Sequence, residues 1–391
     1  MQFIFYSFCI LICYFIFSIY KDFFNPIFIT SLIWALVVFS YNLVIDNLKI
    51  WRPLSDLIYI YLMIYIFLFA VSFLFFFRIS YKVYVTCINI NLKIITILII
   101  SSILLVFYNC YIYKLIKTVG MLRIRNELLE FPLHIKLASY IQPLALVAVC
   151  YGFDEKKDKI QKIIYYFCMI NVIISFFIMG SKGGLFQILF CIIFILKEKN
   201  KLSKKLLIKI IILAITLVII LQYFRASGNE YKENNLLIKT IYIYFLSPLP
   251  AMDLLINNKV NLSTNSFGGN SFSFFYRSLS KLTGRPLPES LSGFDGWVGV
   301  PYPTNVYTIL GNYISDFKFW GIFLCAILYG SVFGFIYKQV KKRSVSYKIF
   351  FSIFLYCLVF QFFGDWFFAF FSTTLQYYLW SIFVTKKVRI K

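Results

Sequence analysis

The sequence predicts an all-α fold: a polytopic integral membrane protein of about 11–12 transmembrane helices with one long extracytoplasmic loop, in a single membrane domain over residues 1–391. Three observations predict it. Of 391 residues, 61% are hydrophobic and 21% aromatic, and only 14% are charged. A soluble domain carries about 25% charged residues and cannot hide so many apolar ones. The apolar residues form runs of roughly 16–24, the length at which a helix crosses a ~30 Å hydrocarbon core. The runs are continuous rather than alternating, which argues against a barrel of strands.

In chain order the runs are 2–20, 27–45, 57–77, 94–113, 137–152, 163–179, 184–196, 207–223, 317–337, 349–364 and 366–384. Residues 2–20 lack a basic leading region and a small-residue cleavage site, so they read as a retained span. A further run, 236–256, contains SPLP at 247–250 and Asp253. Prolines and a carboxylate make a poor lipid-facing span, so a re-entrant hairpin, an interfacial helix or a kinked crossing fits it.

Loop basicity sets orientation. The stretch 197–209 has six Lys and one Glu, 338–348 has five basic residues and no acid, and 78–93 has three basic residues and no acid. The C-terminal tail adds Lys386, Lys387, Arg389 and Lys391. Placing all of these in the cytoplasm is consistent if 236–256 does not cross. The outside then carries 114–136, the short link 180–183 and the long segment 224–316. Loops that long inside a compact domain are usually functional.

The net charge of +23 would suggest nucleic acid in a soluble protein. Here Lys and Arg collect in loops as topology signals, and no nucleic-acid partner is expected. Nine cysteines include no CxxC pair, so no disulfide frame or zinc site is implied. The single histidine, His134, excludes a His-based metal cluster, and the expected metal and cofactor content is none. There is no Walker loop, GxGxxG, HExxH or acidic DxD-like pair, which disfavours ATP and a metal-bound nucleotide sugar.

Several stretches carry chemistry. MGSKGG at 179–184 places Lys182 between small residues, with Gly183 and Gly184 leading into the next run. A tight turn explains it, and so does an anion site where a cation meets a helix N-terminus. Arg225 in YFRASGN emerges past a span, where an Arg snorkels or grips a phosphate bidentately. Arg277, Lys281 and Arg285 recur at intervals of four and present one cationic face. Arg123, Arg125 and His134 share a second outer loop, where a His can serve as general base. Asp316, before an apolar run, caps a helix or takes a proton.

MGSKGG, YFRASGN and PTNVYTILGNYISDFKFWG (303–321) together resemble the Wzy-type oligosaccharide repeat unit polymerases of O-antigen and capsule. The third motif usually ends in Asp-Phe-Gly; here Lys318 replaces that Gly, and Gly321 follows. Arg285 and Gly296 match the family's Arg-x10-Gly spacing. The resemblance implies a metal-independent glycosyltransferase of the bacterial cytoplasmic (inner) membrane. It would move a growing glycan from undecaprenyl pyrophosphate onto a lipid-linked oligosaccharide repeat unit at the outer face. The lipid bilayer, a flippase and chain-length regulator proteins are the implied partners.

On that reading Lys182, Gly183, Gly184, Arg225, Arg277 and Arg285 bind pyrophosphate. Arg225, Arg285, His134 and Asp316 are the catalytic candidates. Arg123, Arg125, Asn305 and Trp297 contact the sugars. Two alternatives compete with it. A glycan ligase uses the same chemistry, and the third motif favours a polymerase over it. A lipid-linked oligosaccharide flippase would line a central cavity with charge inside its spans, which here are almost free of ionisable residues.

Overall fold

The computed structural model describes residues 1–47, 52–79, 91–119, 140–152, 158–178, 182–226, 242–262, 266–284, 286–287 and 296–385. Fourteen α-helices and one two-stranded hairpin lie among them. Six of the described helices are long and apolar enough to cross a membrane. This is the all-α, multi-pass membrane architecture that the apolar runs predict.

The chain forms two compact units. The first comprises Met1–Lys82, Asn235–Gln339 and Cys357–Ser372. It opens with three long helices, α1 (Gln2–Tyr20), α2 (Pro26–Asn47) and α3 (Asp56–Arg78). α1 stops at Lys21, whose left-handed φ of 47° turns the chain. Pro26 then starts α2 with the fixed φ a first helical turn needs. α1 packs on α2 and α3.

The second unit comprises Val83–Asn234, Val340–Tyr356 and Thr373–Lys391. It contains α4 (Asn91–Val119), α5 (Ile141–Gly152), α6 (Lys159–Ile178), α7 (Lys182–Glu198) and α8 (Lys204–Ala226). α4 packs against α5 and α6, and the Asn109 amide donates to the Asn171 carbonyl at 3.2 Å. A buried carboxamide in an apolar bundle needs such a partner.

The run 236–256 is broken where it is described. A π-helical turn at Tyr242–Leu246 precedes Ser247, and Pro248 starts α9 (Pro248–Ile256). Residues 242–256 would span about 22 Å as helix, short of a ~30 Å core. α9 packs on α3, and its Asp253 accepts from the Ser55 hydroxyl and, at 3.3 Å, from the Ser55 N–H.

Later elements are α10 (Ser273–Thr283), strands β1 (Val298–Gly299) and β2 (Pro303–Thr304), and α11 (Gly311–Phe317). They are followed by α12 (Trp320–Lys341), α13 (Val345–Val359) and α14 (Phe371–Thr385). The strands pair antiparallel, Val298 opposite Thr304. The expected spans 349–364 and 366–384 are displaced: their helices are Val345–Val359 and Phe371–Thr385, and 360–370 is a non-helical loop. Its run of rings reads as helix by hydropathy, but Asp365 and Gln361 satisfy backbone and side-chain groups that a helix would otherwise pair.

α12 meets α3 at two glycines. A Cβ on Gly330 would lie 2.6 Å from the Phe69 carbonyl oxygen, and one on Gly334 would lie 2.5 Å from that of Phe73. This is the small-xxx-small spacing that lets membrane helices touch backbone to backbone.

Candidate functional site

The first unit builds a polar cavity from two loops. One is the segment between β2 and α11, and the other is the 360–370 loop. Gln361 joins them: its carbonyl accepts the Ile309 N–H at 2.7 Å. Its fully buried side chain accepts from Trp34 Nε1 (3.2 Å) and Tyr65 (3.0 Å), and it donates to Thr30 Oγ1 (2.8 Å). One glutamine thus fixes both loops to α2 and α3.

The cavity has a volume of about 240 Å³. Asn270, Asn305, Asn312 and Ser315 supply polar groups, and Asp365 closes one wall. Phe363, Trp366 and Phe370 form a ladder on another side. Trp366 stacks on Phe363 at 5.7 Å and on Phe370 at 5.6 Å, with planes within 15° of parallel. Carboxamides facing a flat aromatic surface suit a ligand with many hydroxyls and an apolar face.

Asp365 is buried in the 360–370 loop. It accepts from the Tyr329 hydroxyl, from Tyr313 at 3.1 Å, and from the N–H groups of Phe367 (3.1 Å) and Phe368 (2.8 Å). Burial raises its carboxyl above the usual carboxylate range, while these hydrogen bonds pull the other way.

Asp316 is tied to the loop before α10. Its oxygens accept the Ser271 N–H at 2.7 Å, the Asn270 N–H at 3.3 Å and the Asn270 amide at 3.1 Å. The same Asn270 amide reaches the Leu262 carbonyl at 2.9 Å. Asp316 therefore holds a cavity wall in place.

Backbone strain gathers on this segment. Thr308, which lines the cavity, has φ 64°, and Lys318 has φ 53° and ψ −134°. Lys318 stands where the third motif usually has Gly, in a region that glycine adopts freely and lysine does not. Non-glycine residues held at such angles cluster at functional sites.

The sequence-predicted residues fall out as follows. Asn305 lines the cavity, and Asp316 bonds to its Asn270 wall. Trp297 flanks β1 and is 59% exposed, and the neighbouring Gly296 carbonyl accepts the Tyr307 hydroxyl. Arg277 is exposed on α10. In the second unit, Lys182 begins α7 and Arg225 lies in the last turn of α8. Gly184 is buried, and a Cβ there would lie 1.9 Å from the Phe176 ring, so the glycine lets this ring pack against the start of α7. Gly183 sits in the same turn, partly buried. Arg123, Arg125, His134 and Arg285 lie outside the described residues. Sequence reasoning missed Asp365 and the ring ladder. The signal was a lone carboxylate inside the run FFGDWFFAFF, an expensive residue in such a setting. Among the described residues, no three His, Cys, Asp or Glu side chains gather as a metal site would require.

Comparison with known proteins adds the following. A family model described as "Putative O-antigen polymerase" matches residues 22–360. A curated protein of Escherichia coli (strain K12), described as "Putative O-antigen polymerase", is 24% identical over 245 residues, 61% of this chain and 58% of the relative. The matched stretch is thus less than two thirds of that relative's length. No solved structure shows a significant match.

Proposed function

The chain belongs to the O-antigen polymerase family, and from that premise and its cavity we infer the activity. It acts as a polysaccharide polymerase in the bacterial cytoplasmic membrane. It transfers a growing glycan from undecaprenyl pyrophosphate onto a lipid-linked oligosaccharide repeat unit at the outer face. The anomeric C–O bond to pyrophosphate breaks, and the acceptor hydroxyl oxygen bonds to that carbon. Its proton passes to a base, and the lipid pyrophosphate leaves with the electron pair. No nucleotide enters this balance, and metal independence is part of the proposal. A flippase supplies the repeat unit, and chain-length regulator proteins set the product size.

The observation that carries this reading is the cavity of Asn270, Asn305, Asn312 and the Phe363–Trp366–Phe370 ladder. At about 240 Å³ it is smaller than the ~300–1,000 Å³ of a drug-sized ligand's pocket, so it takes a single sugar ring. The carboxamides bond hydroxyls, and the rings cover the sugar's apolar face. Asp365 borders that cavity, and a carboxyl raised by burial is better matched to accepting a proton near neutral pH. Asp365 therefore takes the base role, Asp316 positions the wall, and His134 is the alternative base. Arg277 and Arg285 serve the leaving pyrophosphate, and Lys182 and Arg225 carry the same assignment in the second unit. Cations placed where charge develops lower the barrier most.

Gene deletion tests the reading. Surface glycan from the deleted host, run on a gel, should lose its ladder and keep single repeat units. Loss of all surface glycan, with lipid-linked units held on the cytoplasmic side, would favour the flippase instead. Long lipid-linked chains that never reach their final acceptor would favour the ligase.

A further inference from the structure

We propose that α10 is an in-plane helix seated in the membrane–water interface, with the lipid bilayer itself as its partner. The inference does not depend on the polymerase reading. α10 is amphipathic over its 11 residues. Phe275, Leu279 and Leu282 recur at i, i+4 and i+7 and so share one face, while Arg277 and Lys281 share the other. No residue of α10 is buried. Leu282 is 85% exposed, Phe275 60% and Leu279 57%, and Phe267 beside them is 82% exposed. An apolar groove of about 450 Å³ runs between the helix and Phe267, walled by Phe272, Phe275, Tyr276 and Leu279. So much exposed aromatic and aliphatic surface on one short element calls for a partner.

The packing of α10 fixes its depth. Phe272 and Phe267 meet Phe317 at 6.2 and 5.1 Å, and Phe317 lies three residues before Trp320, where α12 begins. Phe274 and Phe275 meet Phe371, the first residue of α14, at 5.4 and 6.3 Å. α12 is among the helices apolar enough to cross a membrane, and its first residue, Trp320, is 69% exposed. Tryptophan at the end of a span marks the headgroup level. α10 is therefore held at the height where α12 enters the bilayer. Its charges complete the match: Phe and Leu face acyl chains, while Arg277 and Lys281 reach phosphates and water, the pattern of interfacial helices. Gly284, at φ 68°, and Pro286 end the helix before it can continue across.

Spin labelling in nanodiscs of phosphatidylethanolamine and phosphatidylglycerol tests this. Leu282→Cys and Lys281→Cys are labelled separately, with the unsubstituted protein labelled in parallel to subtract native cysteines. The label at 282 should collide with oxygen and be shielded from a water-soluble nickel chelate. The label at 281 should show the reverse, so that the oxygen-to-nickel ratio differs severalfold between adjacent positions. Leu279→Cys repeats the apolar arm if the 282 variant folds poorly. Equal nickel access at 281 and 282 would overturn the proposal by placing α10 in water. Shielding of 282 from both reagents would overturn it by showing a protein cover, such as a second copy.

Discussion

Gly321 lies against the carbonyl of Tyr313: a Cβ at Gly321 would stand 2.1 Å from that oxygen. The contact folds the start of α12 back on α11 and sets the segment that walls the cavity. The obstacle is backbone, so no side-chain rotation relieves it. Gly321→Ala should lower stability by about 1–3 kcal/mol or more, the cost of overpacking a filled site. Thermal unfolding in detergent measures it, and an unchanged midpoint would contradict the geometry.

Lys318, three residues earlier, predicts the opposite sign. Its φ of 53° is costly for a residue with a Cβ. Lys318→Gly should stabilise the protein by about 1 kcal/mol, read as a higher unfolding midpoint. A lower midpoint would mean that the lysine side chain makes a contact worth more than the strain.

Asp316 and Asp365 should respond differently to substitution. Asp316→Ala leaves the Ser271 N–H and the Asn270 groups without their acceptor, which costs about 1–3 kcal/mol. Stability and activity should fall together. Asp365→Asn keeps an acceptor oxygen for Phe367 and Phe368 but cannot take a proton. Turnover should fall by about 10²–10⁴ while the protein still folds. Retained turnover in Asp365→Asn would return the base role to His134, which His134→Ala then tests.

Much of this was legible in the sequence, for reasons that also explain the rest. The runs 2–20, 27–45 and 57–77 match Gln2–Tyr20, Pro26–Asn47 and Asp56–Arg78 closely, because a long apolar run has little choice but helix in a bilayer. The same reasoning failed at 360–370, where hydropathy cannot tell an aromatic loop packed inside a protein from a lipid-facing helix. There Asp365 and Gln361 satisfy groups that a helix would pair internally. Gly330 and Gly334 have the small-xxx-small spacing of a close helix contact, but the spacing does not say which helix they meet. The Asn270–Asp316 link joins residues 46 apart and follows only from the folded chain.

Those two glycines give a further prediction. Gly334→Leu should prevent α12 from approaching Phe73, with loss of monodisperse protein on size exclusion, and Gly334→Ala should be milder. Monodisperse Gly334→Leu protein with an unchanged unfolding midpoint would place the α3–α12 contact elsewhere.

The cations are expected to act on rate alone. Arg225→Ala and Arg285→Ala should each reduce turnover by about 10²–10³, the cost of losing one donor to developing charge, with the unfolding midpoint unchanged.

The most direct measurement is polymerisation by the purified protein in nanodiscs, given a lipid pyrophosphate-linked repeat unit, EDTA and no nucleotide. The account predicts a ladder of lipid-linked products longer by whole repeat units, and its collapse in Asp365→Asn. Input repeat units recovered unextended by folded protein, with the host's own repeat unit as substrate, would contradict it.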